Sequence, residues 1–528
     1  MTNNLQLHWQ GNLQSIAFDT EGIKACLHNL DYPVYVVRHD NKIGIANEGN
    51  IQHGKEQGHA ELLAFCQPLI PEQLGSADFR EFHGVRYAYS SGAMANGISS
   101  TDLVIAMGQA GMLGSFGAAG LIMARIEESI NIIQQALPTN PYMFNLIHSP
   151  AEVALEQNAV ELYLKHDVTT IEASAFLNLT PYIVYYRVAG LSLDQQNQIN
   201  IKNKIVAKIS RREVATKFMQ PPPKKILDEL VQSRYISTYQ AQLAEHVPMA
   251  DDITIEADSG GHTDNRPLVC LLPSMLKLRD EIQAKYNYPH QIRVGAAGGI
   301  STPDSALASF MMGADYIVTG SVNQACVESG ACEHTRKLLA QADMADVIMA
   351  PAADMFEMGV KLQVLKRGTL FPMRAQKLYD LYSTYDSIES IPANERVKIE
   401  KQIFRRNLDE VWQDTVAFFN ERDPRQVERA KNNFKRKMAL IFRWYLGLSS
   451  RWSNQGEKGR EIDYQIWCGP SMGAFNDWVR GTYLAELSNR RVVTVAKEIM
   501  RGTAFLYRLR SLQMQGVQLP NHFSQYQI

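Results

Sequence analysis

Three segments share one pattern: Glu256-Ala-Asp-Ser-Gly-Gly-His262, Val294-Gly-Ala-Ala-Gly-Gly-Ile300 and Ile317-Val-Thr-Gly-Ser321. Each joins a short apolar run of strand character to small residues, and the first also ends in a histidine. Side chains at the end of a strand are placed to meet a ligand, and glycine there lets the ligand approach the backbone. The second and third stretches therefore predict a phosphate site, and His262 predicts a polar group beside it.

The same alternation of strand and helix extends upstream, and we count eight strand–helix units between residues 86 and 341. Strands that alternate with helices pair in parallel. Eight units in roughly 250 residues predict a (β/α)8 barrel, the TIM barrel, with its site at the C-terminal strand ends. An open doubly wound sheet is the alternative, and it would place the same glycines at a switch point. The predicted strands are 86–91, 112–116, 142–148, 170–176, 204–210, 253–258, 291–297 and 316–321.

Two further regions flank the barrel. Residues 1–80 contain short strand-like pieces around 32–38 and 42–45 and predict a small β-rich N-terminal domain. The barrel is assigned to residues 81–375. Residues 376–528 read mainly as long, charged helices, for example 397–420, and predict a helical appendage that packs on the barrel.

Composition excludes several classes of protein. The 528 residues are 45% hydrophobic and 20% charged, which is globular. A net charge of -2 argues against nucleic acid as a partner. Six cysteines without a C-x-x-C pair predict reduced thiols in a cytoplasmic protein. Residues 1–7 lack the pattern of a signal peptide, and the apolar window 300–318 contains Asp304 and Asp315, so membrane insertion is not expected.

The prediction of a phosphate site rests on two adjacent loops. Gly295, Gly298 and Gly299 precede Thr302-Pro303, where threonine suits the N-cap and proline the first turn of a helix. Exposed N–H groups and the helix dipole there bind an anion. Thr319, Gly320 and Ser321 form a second loop of this kind after the eighth strand, where many barrels hold a phosphate. Simple tight turns are the alternative.

Other strand ends supply polar and small residues. Ser90-Ser-Gly-Ala-Met-Ala-Asn-Gly97 closes the first strand with a loop suited to backbone contact with a flat heterocycle. Asn145 and Lys208 lie inside apolar runs; a satisfied core amide and a strand-end lysine that reaches water are the alternatives. A buried, unpaired ammonium is costly, so Lys208 predicts an anionic or electron-rich partner. His262 follows two glycines at the catalytic face and can deliver a proton near neutral pH.

These residues carry a resemblance to the superfamily of nitronate monooxygenases and FMN-dependent enoyl-ACP reductases. More narrowly, the chain resembles the PfaD-type, trans-acting enoyl reductases of polyunsaturated fatty acid and polyketide synthases, over nearly its whole length. The broad resemblance rests on residues 110–117, Asn145, 260–262, 295–299 and 313–321, and the narrow one on 91–98, 251–264, 350–359 and 467–476.

The resemblance implies an FMN-bound barrel that passes hydride from NADPH, less expectedly NADH, to a 2-enoyl thioester on acyl carrier protein. Lys208 would lie near the flavin pyrimidine and His262 over the reactive edge, as the two catalytic residues. The nitronate oxidases of the superfamily place a histidine similarly, so oxidase activity is the alternative, and a scaffold without catalysis is a third. The cofactor-binding set is Ser91, Gly92, Ala93, Met94, Asn145, Lys208, Asp258, Gly260, Gly261, Gly295, Ala297, Gly298, Gly299, Thr319, Gly320 and Ser321.

A basic run in the appendage predicts a partner surface. Residues 425–451 hold eight Lys or Arg against one acid, Glu428, with aromatic residues between them. A solvated helix face with a buried aromatic stripe is one interpretation. A docking surface for an acidic acyl carrier protein, steered by charge, is the other. A homodimer is a further possibility for a barrel with so large an appendage.

Overall fold

A computed structural model describes residues 7–53, 59–148, 153–523, 525–526 and 528. The expectation about a signal peptide concerns residues 1–7, of which 1–6 lie outside this range. The N-terminal region is an antiparallel sheet in the strand order β3-β2-β5-β1-β4, with helix α1 (Thr20–His28) packed against it. Its strands are β1 (Leu7–Gln10), β2 (Val34–His39), β3 (Lys42–Ala46), β4 (Asn50–His53) and β5 (Ala60–Cys66).

Eight parallel strands close into a barrel, which confirms the predicted fold and excludes the open sheet. The circular order is β12-β13-β14-β15-β6-β7-β8-β9, with β9 paired to β12. All eight predicted strands are present, each within a few residues of its expected bounds. The strands from β6 to β15, including the added hairpin β10–β11, are β6 (Tyr89–Ser91), β7 (Leu113–Phe116), β8 (Met143–Ile147), β9 (Thr170–Ser174), β10 (Leu191–Leu193), β11 (Ile199–Ile201), β12 (Lys204–Ile209), β13 (Asp252–Glu256), β14 (Arg293–Ala297) and β15 (Ile317–Thr319).

The helices around the barrel depart from a strict alternation at two places. Three helices instead of one separate β12 from β13, and two short helices joined by a turn, instead of one, follow β15. Cys326 lies in that turn, and Cys332 caps the helix that follows it. The helices are α2 (Ala77–His83), α3 (Thr101–Gln109), α4 (Met123–Ala136), α5 (Val153–Lys165), α6 (Pro181–Ala189), α7 (Arg212–Met219), α8 (Lys224–Gln232), α9 (Thr238–Ala244), α10 (Leu268–Tyr286), α11 (Pro303–Met311), α12 (Ser321–Gln324) and α13 (Glu333–Ala340).

The barrel interior is a packed apolar core. Phe79 of α2 closes the N-terminal end of the barrel and stacks on Tyr316, with ring centroids 4.2 Å apart. A Cβ on Gly295 would lie 2.3 Å from the Tyr316 ring. The glycine thus makes room for Tyr316 inside β14, and its predicted contact with a phosphate stays a prediction. The same buried cluster contains Val85, Ala88, Leu113, Met143, Val206, Ala297 and Val318.

We call the N-terminal ends of the barrel strands the floor, and a buried ion group joins two of them. Asp252, the first residue of β13, lies 2.7 Å from Arg293, the first residue of β14, and 2.8 Å from His83 of α2. Burial opposes the charge of Asp252, but Arg293 and His83 outweigh burial and hold the pKa of Asp252 well below its usual value. The charges are therefore balanced where water cannot reach them.

After the barrel the chain forms a β-hairpin, which we call the hairpin, and then a set of helices, which we call the appendage. The predicted single helix over 397–420 is wrong, because a π-helical turn and the left-handed Arg405 (φ 56°) interrupt it. The hairpin is β16 (Val347–Pro351) and β17 (Lys361–Leu365). The appendage helices are α14 (Phe371–Thr384), α15 (Ala393–Ile399), α16 (Leu408–Arg422), α17 (Pro424–Ala430), α18 (Phe434–Gln455), α19 (Ser471–Trp478) and α20 (Val492–Met514).

The last helix of the appendage, α20, contacts both the barrel and the N-terminal sheet. α20 packs on α3 and α11 of the barrel and on α1 and β5 of the N-terminal sheet. The predicted boundaries at 80 and 375 both fall inside helices, α2 and α14, so we propose boundaries just before each of these helices. None of the helices in the described ranges is long and apolar enough to cross a membrane.

Candidate active site at the mouth of the barrel

We call the C-terminal ends of the barrel strands and the loops that follow them the mouth. The phosphate end of the mouth lies at the loops after β14 and β15. A Cβ built on Gly299 or on Gly320 meets no atom within 4 Å, so both glycines face open space. The N–H groups of Gly299, Ile300 and Gly320 find no backbone acceptor in the described part of the chain. Thr302 caps α11 and Pro303 opens it, as predicted. Backbone N–H groups beside open space can receive an anion.

Other residues predicted for the phosphate end have partners of their own. The hydroxyl of Thr319 is fully buried and bonds to Tyr89 at 2.6 Å and to Asn323 at 2.9 Å. The hydroxyl of Ser321 accepts from the Gly469 amide of the appendage at 3.1 Å. Gly298 is left-handed (φ 80°), and a Cβ there would lie 2.7 Å from the Ala257 backbone. These contacts shape the two loops, and the backbone of Gly299 and Gly320 remains open to solvent.

The loop after β6 lies beside the next strand ends. Ser91 accepts from Asn323 at 2.9 Å, and the Gly92 amide donates to the carbonyl of Thr319 at 3.1 Å. The Ala93 amide donates to Oε2 of Glu172 at 3.0 Å, and the Met94 carbonyl accepts from Ser99 at 3.1 Å. The loop predicted to contact a flat heterocycle is thus held in place by these hydrogen bonds.

Lys208 lies between two carboxylates that sequence reasoning did not assign to it. Its Nζ is 3.4 Å from Oε1 of Glu256 on β13 and 3.6 Å from Oε1 of Glu172 on β9. Burial opposes the charge of Lys208, but the two carboxylates outweigh it and raise the pKa of Lys208. Oε1 of Glu172 is buried and has no hydrogen-bond partner in the described residues. The expected electron-rich partner of Lys208 is therefore supplied by the protein itself.

Asn145 lies next to this group. Its amide nitrogen donates to the Glu172 carbonyl and to the Ser174 hydroxyl, both at 3.0 Å. The satisfied core amide, one of the two interpretations of Asn145, is what these contacts favour. Cofactor binding by Asn145 stays a prediction.

His262 lies at the rim of the mouth and contacts a carboxylate from the hairpin. Nε2 of His262 is 3.1 Å from Oδ2 of Asp354, with 41% and 55% of the two side chains exposed. Partial burial acts against the imidazolium, but Asp354 outweighs it and raises the pKa of His262. The pKa of Asp354 is lowered, because the contact with His262 outweighs its own partial burial. The pair favours a protonated ring that remains open to solvent.

The residues before His262 hold the loop in place. Gly261 is left-handed (φ 80°) and exchanges two backbone hydrogen bonds, of 2.9 and 2.7 Å, with Gln363 of β17. The side chain of Gln363 donates to Asp258 at 2.8 Å. A Cβ on Gly260 would lie 2.8 Å from the Cys468 amide, so glycine admits the appendage. Asp258, Gly260 and Gly261 thus position the loop; their contact with a cofactor stays a prediction.

The basic run of the appendage is largely paired within the molecule. Lys435 bonds to the carbonyls at the end of α14, and Arg436 donates to Gln426 at 2.6 Å. Lys437 lies 3.6 Å from Glu389, and Arg443 lies 3.4 Å from Glu357 at the hairpin. Charge reversal at 435 and 436 would therefore disturb the fold, and these two positions are unsuited to testing a docking surface.

The missed residues share a signal. Glu172 lies in the apolar run of β9 just as Lys208 lies in that of β12, and adjacent strands bring such charges together. Asp354 lies within residues 350–359, which carry the narrow resemblance, but no local pattern marks it as a site residue. Its distance of nearly a hundred residues from His262 left no local pattern to join them. No group of acidic, His or Cys residues in the described ranges could hold a metal ion.

Three family models match this chain. Nitronate monooxygenase matches residues 79–379, which is more than half of the chain. The N-terminal domain of fatty acid synthase subunit PfaD matches residues 9–68. The inserted helical domain of [acyl-carrier-protein] S-malonyltransferase matches residues 385–464, within the appendage.

Similar proteins include components of synthases. The chain is 48% identical over 510 residues to a polyunsaturated fatty acid synthase subunit of Thraustochytrium sp., covering 95% of this chain and 34% of that protein. It is 43% identical to the polyketide biosynthesis protein PksE of Bacillus subtilis, covering 89% and 60%. The chain thus spans only part of these relatives. The enoyl reductase domain of MlnA from Bacillus amyloliquefaciens is 39% identical with a TM-score of 0.80, covering 84% of this chain and 99% of that one.

Proposed function

Because the chain belongs to the nitronate monooxygenase family, we propose that it is an oxidoreductase of the FMN-dependent enoyl reductase type. It reduces 2-enoyl thioesters carried by acyl carrier protein, with NADPH as the hydride donor, and acts in trans on a polyunsaturated fatty acid or polyketide synthase. The similarity to the MlnA enoyl reductase domain over 84% of the chain supports the reaction. The observation that carries it is the His262–Asp354 pair at the rim of a mouth with open glycine backbone.

The residues of the mouth fit FMN. Gly299 and Gly320 offer open backbone for the phosphate, and the loop at Ser91–Met94 offers backbone beside the buried charges of Glu172 and Lys208. The buried Oε1 of Glu172 has the ion pair with Lys208 at 3.6 Å but no hydrogen bond from the described residues, so it can accept one from a polar group of a ligand. When bound, FMN supplies the hydride chemistry, and the protein orients it and sets its electrostatic surroundings.

The chain itself supplies a proton donor, His262, and a balanced group of charges formed by Lys208 and its two carboxylates. His262 holds a proton at the rim and donates it to the α carbon of the enoyl thioester when hydride reaches the β carbon. Glu172 fixes the Ala93 amide and Lys208 balances the carboxylates, so the loop after β6 stays in one conformation. A nitronate oxidase would instead need His262 unprotonated, as a base. The pair with Asp354 favours the reductase.

The carrier partner is proposed from the synthase relatives and from exposed basic residues of α17 and the turn after it. Arg429 and Lys431 are exposed, and Lys431 pairs at the surface with Glu428, a contact that is worth little. Charge reversal at both positions should raise the KM for a carrier-bound enoyl thioester and leave the KM for crotonyl pantetheine unchanged. An equal effect on both substrates would reject docking at this surface.

The function is tested by anaerobic reduction of the purified protein. NADPH should bleach the visible absorbance of the bound flavin, and crotonyl pantetheine should restore it without oxygen. NADH in a parallel reaction decides between the two donors. If only air or a nitroalkane restores the colour, the oxidase is the function. A purified protein that stays colourless after incubation with FMN would favour the scaffold.

A further inference from the structure

We propose that Asp354 is the positioning residue of His262, and that the hairpin carries its carboxylate to the histidine so that the ring acts as a proton donor. This proposal deepens the proposed function and rests on it for the reaction. The contact itself is geometric: Nε2 of His262 lies 3.1 Å from Oδ2 of Asp354. Nε2 is thereby occupied, so in this proposal Nδ1 is the nitrogen that donates the proton.

The two residues come from elements that are joined by backbone. Gly261 and Gln363 exchange two hydrogen bonds, so the loop of His262 is tied to β17 one residue before the histidine. Asp354 lies between β16 and β17, in the segment that closes the hairpin. A contact between one hairpin and one loop, bonded directly to each other, holds its geometry better than a contact between independent loops.

The appendage anchors the segment that carries Asp354. Phe356, two residues later, is fully buried and packs on the rings of Tyr379, Tyr382 and Phe442, with centroids 5.1 to 6.3 Å away. Arg443 of α18 lies 3.4 Å from Glu357. Asp354 is thus fixed by a buried aromatic residue on one side and the hairpin strand on the other, although its own side chain is half exposed.

Taken together, the charges around His262 favour its protonated form. Asp354 contacts it, Glu256 acts in the same direction, and Lys208 acts against them from inside the mouth. Arg443 favours the charged form of Asp354 from the appendage side. Together these groups raise the pKa of His262, so the imidazolium persists to higher pH than in a free histidine.

The proton balance of the step is simple. NADPH is the source of the hydride that forms the new C–H bond at the β carbon. The proton of His262 forms the C–H bond at the α carbon, and the imidazole left behind recovers a proton from water, which its exposed side chain can reach. Only the protonated ring starts this step, so activity falls as pH rises through the pKa of His262.

The test is the titration of His262 in the full chain. With histidine labelled by ¹⁵N, the His262 signal among the 13 histidines is identified by its loss in His262→Gln. Asp354→Asn should lower the pKa of His262. Asp346→Asn is the matched control, because it removes a carboxylate just before the hairpin that pairs with Arg367 and leaves the His262 contact intact. An unchanged titration in Asp354→Asn would overturn the proposal.

Kinetics give the second readout. In Asp354→Asn the alkaline limb of the kcat profile should move to lower pH, with kcat about tenfold lower on that limb and KM for crotonyl pantetheine unchanged. Asp354→Glu, which keeps a carboxylate, should restore part of the loss. A uniform loss of kcat at every pH would indicate a structural role only and would overturn the proposal. If the titration shifts but no enoyl thioester is reduced by any variant, the pair stands and the proposed function fails.

Discussion

At the scale of single residues, glycine serves two purposes at the mouth, and substitution separates them. Gly320→Ala adds a methyl group to open space, so the apoprotein should change in stability by less than about 1 kcal/mol. The Kd for FMN should rise about tenfold, because the methyl occupies space where a phosphate would lie. Fluorescence titration of the apoprotein with FMN measures this change.

Gly295→Ala is the comparison variant, and its effect should be the reverse: a clear loss of stability with little change in the Kd for FMN. The added methyl group would meet the Tyr316 ring inside the barrel, which should cost about 1–3 kcal/mol of the free energy of unfolding. Denaturation by urea measures that loss. Equal loss of FMN affinity in the two variants, after correction for unfolded protein, would argue against a phosphate site at Gly320.

These glycines also mark the limit of prediction at this scale. In the sequence, a glycine at a strand end looks the same whatever it makes room for. We propose that Gly320 makes room for a ligand, whereas Gly295 makes room for the Tyr316 ring and Gly260 for the backbone of Cys468. The atoms that decide between these cases come from distant parts of the chain. Thr319 shows the same limit, since its hydroxyl is used by Tyr89 on the neighbouring strand across the closure of the barrel.

At the scale of elements, the strand starts at the floor carry a buried ion group whose loss should be large. Asp252→Asn leaves the half-exposed Asp78 as the one ion-pair partner of buried Arg293 among the described residues, and should reduce the free energy of unfolding by about 3–5 kcal/mol. Asp78→Asn, at the exposed end of the same group, should cost about 1 kcal/mol or less. Urea denaturation at neutral pH compares the two.

The sign of the pH effect follows from the lowered pKa of Asp252. Its stabilising contribution is present above the unfolded value and is lost as pH falls through the folded pKa. The stability difference between the native chain and Asp252→Asn should therefore narrow only in strong acid. A difference that already vanishes near pH 5 would show that Asp252 is not held in its charged form.

The strands and helices of the barrel were predicted better than single side-chain contacts, and the reason is physical. The eight barrel strands are apolar because they are buried on both faces, and a buried strand followed by an amphipathic helix is a local pattern. The hairpin and the break at Arg405 were missed because their form depends on what packs on them. The segment 464–467 likewise depends on a distant partner, since within the described ranges it forms a single bridge to Val364 of β17.

At the scale of the whole molecule, one buried arginine fastens the N-terminal sheet to the rest. Arg508 of α20 donates five hydrogen bonds, of 2.6 to 3.3 Å, to carbonyls at and after the end of α1: Cys26, Leu27, Asn29, Leu30 and Tyr32. A cation suits the carbonyl end of a helix. Because α20 also packs on α11, this contact connects the sheet to the barrel through the appendage.

Arg508→Met should release the sheet before the barrel. Because buried carbonyls lose a charged donor, the substitution should weaken the contact between α1 and α20 by about 2–4 kcal/mol. Hydrogen exchange should accelerate in β1–β5 and α1 well before it does in the barrel strands, while FMN binding at the mouth is kept. Arg510→Met, on the exposed face of the same helix, should change neither. Exchange that rises equally in sheet and barrel would mean that the chain unfolds as one unit and that Arg508 is not the fastening.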